Sequence, residues 1–68
     1  DELINNIKHL IIVGIEQGEF KKDVNPEKTA VLIFTTIEGG VALSRNYDDN
    51  SYMETVIDHL IVYINSLS

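Results

Sequence analysis

The apolar residues of this chain recur at helical spacing on more than one side of each segment, and that pattern leaves few folds open. The stretch PEKTAVLIFTTIEGGVALSR, from Pro26 to about Arg45, shows it best. Ala30, Ile33, Phe34, Ile37 and Val41 fall on one helix face. Val31, Leu32, Ala42 and Leu43 spread around the sides, so such a helix needs cover from several directions. Asn25 offers a side-chain cap, and Pro26 takes the first helical position, where its missing N–H costs nothing. Gly39 and Gly40 interrupt the middle, each at roughly 1 kcal/mol relative to alanine. A helix that carries this pair is expected to gain from close backbone approach, with Gly39-Gly40 as a packing notch.

Two further helices are expected around it. From Glu2 to about Gln17, Leu3, Ile4, Ile7, Leu10, Ile11 and Ile15 share a face, and Ile12 and Val13 widen it. A strand over LIIVGI is the competing reading, and the flanking helical spacing favours the helix. Gly14 weakens this helix, while Gly18 suits the left-handed position that ends one. Gly18 to Asn25 reads as a connector held to the bundle by Phe20 and Val24. Asn46 to Ser51 is a turn by composition. Ser51 or Asn50 is expected to cap the last helix, with Glu54 completing a capping box on Ser51. That helix, about Tyr52 to Asn65, carries Met53, Val56, Ile57, Leu60, Ile64 and Leu67 on one face, widened by Ile61, Val62 and Tyr63. Ser66 and Ser68 are expected in a fraying tail. A short turn between the last two helices implies an antiparallel pair, and the fold class is all-α, a small antiparallel bundle of about three helices.

A chain of 68 residues buries only about 60% of its unfolded surface, which leaves it marginal without a staple or partner. There is no cysteine to supply a disulfide or a thiolate metal site. With 44% hydrophobic residues, three short helices carry more apolar surface than one small core hides. Oligomerisation or a larger parent protein is the expectation. The sequence begins at Asp1 inside a helical pattern and reads as a piece of something longer.

Eleven Asp and Glu against five Lys and Arg give a net charge of −6. Direct contact with nucleic acid needs clustered Lys and Arg, and the one adjacent pair here is Lys21-Lys22. No apolar run approaches the ~18 residues of a membrane span. A cytoplasmic protein is expected.

No catalytic set can be assembled, and no enzyme activity or cofactor is expected. His9 and His59 lie on different helices and lack the His-x-x-x-His or Glu-x-x-His spacing of a metal site. Asp48-Asp49-Asn50-Ser51 has a calcium-like composition without the alternating ligands, glycine and distal Glu of an EF-hand loop. Gly18, Gly39 and Gly40 follow no strand and precede no Lys-Ser/Thr, so they form no phosphate loop. Glu38 stands mid-helix in an apolar surround. Its alternatives are solvent exposure or a hydrogen-bond partner across a helix interface, since an unpaired buried carboxylate is costly. For Tyr47, Tyr52 and Tyr63 the ordinary expectation is core and rim packing, and the alternative is the lining of a pocket or an interface.

Gly14-Ile15-Glu16-Gln17-Gly18-Glu19-Phe20, then Asp23-Val24-Asn25-Pro26-Glu27, then Ala30 and a helix with Ile37-Glu38-Gly39-Gly40, resembles the C-terminal part of TetR-family transcriptional regulators. The resemblance covers essentially the whole chain, and the order of its short motifs carries more information than any one of them. It implies a homodimeric, all-helical regulator with an N-terminal helix-turn-helix domain for operator DNA and a C-terminal domain for a small, often hydrophobic effector. That DNA-reading domain and most pocket-forming helices are absent from these residues. The last two helices would form a four-helix dimer interface, here assigned to Ile33, Phe34, Ile37, Gly40, Val41, Val56, Ile57, Leu60 and Ile64. A self-standing acidic helical dimerisation module with no DNA role fits the residue-level physics equally well.

Overall fold

The computed structural model describes all 68 residues, Asp1 to Ser68. Three helices follow one another: α1 (Glu2–Glu16), α2 (Pro26–Tyr47) and α3 (Ser51–Ser66), with no strand. Each begins and ends for a local reason. The Asp1 carboxylate accepts from the backbone N–H of Leu3 at 2.7 Å and of Ile4 at 3.3 Å, satisfying donors that a helix start leaves free. At the other end of α1, Glu19 N–H donates to the Gly14 carbonyl at 2.8 Å and Gly18 N–H to that of Ile15 at 3.1 Å. This is the Schellman pattern, and Gly18 takes the left-handed conformation it requires, with φ of +78°. The segment LIIVGI is helical, as the flanking spacing suggests.

Asn25 caps α2 as its position implies, its side-chain oxygen accepting from Lys28 N–H at 3.0 Å. The helix runs two residues past Arg45, through Asn46 and Tyr47, which shortens the expected turn. It stops at Asp48, which adopts φ of 49°, the left-handed region that Asp tolerates better than most side chains.

The start of α3 meets its expectation only in part, with Asn50 and not Ser51 at the cap. Ser51 is already the first helical residue, and Asn50 stands at the capping position without a side-chain hydrogen bond. Asp49 does the capping, its carboxylate accepting from Ser51 N–H at 2.9 Å. Because Ser51 lies inside the helix, the Ser51–Glu54 box does not form. Nor is the C-terminal end loose. Leu67 is buried, its carbonyl accepts from Lys21 N–H at 2.7 Å, and Ser66 Oγ donates to the Tyr63 carbonyl. Burial of Leu67 and the bond to the connector hold a segment that composition alone marks as a tail.

α2 is the middle helix. α1 and α3 each pack on it and not on one another. Gly40 of α2 lies against Met53 and Val56 of α3, while Leu32 and Thr36 share a groove with His59, Leu60 and Tyr63, so α2 and α3 run antiparallel. The result is an open slab measuring 40 × 24 × 13 Å, with a radius of gyration of 13.1 Å. A compact chain of this length would have about 11 Å. Only four apolar residues are buried, Ile11, Ala30, Ile33 and Leu67, and no large side chain is wholly enclosed. Stable domains close two layers of structure around a core. This slab leaves much of its apolar surface uncovered.

Candidate functional site

Three features of the slab stand out: a filled seam, an open flank and an apolar cleft. The seam lies between α2 and α3. A Cβ built on Gly40 would come within 2.8 Å of both Met53 Sδ and Val56 Cγ2. The absence of a side chain there is what lets α3 sit close, so the notch at Gly40 is occupied by the chain's own last helix.

Gly39, one residue earlier, points elsewhere. A Cβ on it would meet nothing within 4 Å. At 3.6 residues per turn it shares a flank of α2 with Leu32, Thr36 and Leu43. Leu32 and Leu43 are 47% and 42% exposed. An open groove of about 230 Å³ joins Leu32 and Thr36 to His59, Leu60 and Tyr63 of α3. The Tyr47 and Tyr52 rings meet at the far end of the pair, their centroids 5.7 Å apart.

The cleft lies between α1 and α3, where the two helices fail to meet. Ile7, Leu10, Ile11, Val13 and Gly14 of α1 form one wall, Ile33 of α2 and Ile64 of α3 contribute the opposite side, and Phe20 closes the connector end. Its volume is about 380 Å³, within the range of small-molecule sites. Gln17 and Glu19 supply its polar rim. The connector shapes this cleft through Gly14. A Cβ at that position would meet the Phe20 ring, with Cε2 at 2.5 Å, so the glycine that weakens α1 is what seats the ring. Phe20 therefore holds the connector to the bundle, as its place in the sequence suggests. The opposing glycine was the missing half of that contact, and a glycine six residues before an aromatic was the only signal for it.

Of the nine expected interface residues, Ile57 is exposed and Phe34, Ile37, Val41, Val56, Leu60 and Ile64 are half-buried. Ile33 and Gly40 are buried, the first only 7% exposed and the second covered by Met53 and Val56. Those two serve the packing of the chain itself.

The polar groups are dispersed. His9 and His59 are exposed on separate helices. His59 Nδ1–H donates to the Thr55 carbonyl at 3.0 Å, one turn back on its own helix. No three His, Cys, Asp or Glu side chains gather as a metal site would require. Glu38 is exposed on α2 and makes no cross-helix hydrogen bond. Lys8 and Glu27 pair at 3.2 Å, but both are solvent-accessible, and such pairs contribute little. The Asp49 carboxyl is held below its ordinary range, chiefly by the backbone N–H of Ser51 and then by the Ser51 side chain. No helix is long and apolar enough to cross a membrane.

The family model for the tetracyclin repressor-like C-terminal domain matches residues 1–60, which takes in α1, α2, both connections and most of α3. No curated protein and no solved structure matches the chain. The matched stretch includes every motif of the TetR resemblance, from Gly14 through Gly40, and the three-helix all-α arrangement agrees with it. The chain belongs to the tetracyclin repressor-like C-terminal domain family.

Proposed function

We propose that these 68 residues form the dimerisation surface and part of the effector-binding domain of a TetR-type transcriptional repressor. The family match over residues 1–60 carries this reading. Dimerisation falls to α2 and α3, whose exposed apolar residues exceed what an isolated 68-residue chain can hide. The half-buried expected interface residues, Phe34, Ile37, Val41, Val56, Leu60 and Ile64, together with exposed Ile57, lie on this helix pair. Operator DNA contact belongs to an N-terminal helix-turn-helix domain outside these residues, in keeping with the net charge of −6 here. The regulator works in the cytoplasm, without a cofactor or catalytic step.

The cleft between α1 and α3 is the effector-facing side of the domain. Its walls are apolar and its few polar groups stand at the rim, which suits a small, largely hydrophobic molecule with one hydrogen-bonding end near Gln17 and Glu19. The upstream coding sequence tests the whole reading. A helix-turn-helix domain within about 120 residues before Asp1 is expected. A gene that starts at or just before Asp1 would leave an acidic dimerisation module with no DNA role.

A further inference from the structure

We propose that the hydrogen bond between the connector and the last turn of the chain braces the apolar cleft, so that this bond and a molecule bound in the cleft hold one another in place. This rests on the effector-facing role proposed for the cleft, and it names the groups that position its walls. Lys21 N–H donates to the Leu67 carbonyl at 2.7 Å. The other hydrogen bonds outside the helices join near neighbours in sequence, so this one alone ties the connector to the end of α3. α1 and α3 do not pack on one another. Their spacing therefore depends on α2, which both contact, and on this bond at one end.

The residues beside the bond are cleft residues. Phe20, which closes the connector end, directly precedes Lys21, and Ile64, on the α3 side, stands one turn before Leu67. From Ser51 to Ser66 α3 buries no residue, and Leu67 just beyond it is buried. A helix with so little of its surface enclosed opens easily, and its end is held by the contacts of its last turn. A molecule lying between Phe20 and Ile64 touches both walls only while the bond keeps them together. Two events that favour the same arrangement favour each other by the same factor. Lys21 acts here through its backbone amide, and its ammonium takes no part. Leu67 is a positioning residue, anchored by its burial.

Fluorescence titration of the chain with the neutral dye N-phenyl-naphthylamine tests this, with circular dichroism to check that each variant stays helical. A neutral probe is used because Glu19 stands at the rim and the chain carries a net charge of −6. A chain assembled with an ester in place of the Lys21 amide lacks the donor, and is expected to bind the dye about tenfold more weakly. Lys21→Ala keeps the amide and should bind as the wild type does. In the wild type, saturating dye should slow amide exchange at Lys21 by the same factor. Exchange at Glu54, whose N–H donates to the Asn50 carbonyl at the other end of α3, should not change. Equal dye affinity in the ester chain and the wild type would overturn the brace. So would an equal loss in Lys21→Ala, or exchange at Lys21 that the dye leaves untouched. Leu10→Glu, at an exposed position of the cleft wall, is expected to abolish dye binding. Binding that survives this change would overturn the cleft as the site, and the brace with it.

Discussion

Gly39 and Gly40 are the same residue at adjacent positions of one helix, and their surroundings have almost nothing in common. Gly40 faces a seam filled by Met53 and Val56, with no room for a methyl group. Gly39 faces open space. The seam is a finished intramolecular contact, and the flank is a surface that the chain leaves bare. A helix of period 3.6 turns about 100° per residue, so one step along α2 passes from the inside of the molecule to its outside. The pair reads as a single notch in the sequence, whereas in the fold it is two positions with separate tasks.

The largest break in that comparison comes from filling the seam. Gly40→Leu forces a side chain into Met53 and Val56, and overpacking of this kind costs about 3 kcal/mol or more, enough to unfold a chain this small. Loss of the helical circular-dichroism signal is the expected outcome. Gly39→Leu should leave that signal in place and act on association alone. If both variants behave alike, the distinction between seam and flank fails.

Phe20→Ala should follow in size. It empties the ring site over Gly14 and loosens the connector, at about 2 kcal/mol for a half-buried aromatic. Urea midpoints measured at one fixed protein concentration would show it, since stability of a dimer depends on concentration. Ser44→Ala is a smaller effect of opposite sign. Ser44 Oγ is buried without a hydrogen-bond partner, so removing it should stabilise the chain by about 0.5–1 kcal/mol.

Asp49 gives the smallest effect, and one confined to acid. Its pKa in the fold lies below the ordinary 3.8, so its contribution to stability is complete above that value. The contribution fades as pH falls below 3.8 toward the lowered folded value. Fraying of the first turn of α3 in that range, absent from Asp49→Asn because it lacks the titration, would be visible in amide exchange at Ser51.

The element order was legible because each helix has a clear apolar period, and α2 also has a recognisable start. Asn25-Pro26 and Gly18 act through local hydrogen bonds and local backbone angles, and local signals survive in a linear string. The α3 cap was read only in part: Asn50 takes the position, but Asp49, Asn50 and Ser51 are all competent caps, and the side-chain hydrogen bond falls to Asp49. Leu67 is buried, in keeping with its place on the apolar face of α3, but the bond from Lys21 N–H to its carbonyl could not be read, because that partner lies in a connector far away in sequence. The seam and the flank could not be told apart for a similar reason. Periodicity shows that α2 is apolar on several sides, but which of them its own helices cover is decided by how α1 and α3 pack against it.

The central claim is that the uncovered surface of α2 and α3 is made for a second copy. Sedimentation equilibrium of the 68-residue chain at micromolar concentration tests it directly. A helical dimer is the result expected, and a well-folded, stable monomer over the same range would contradict it.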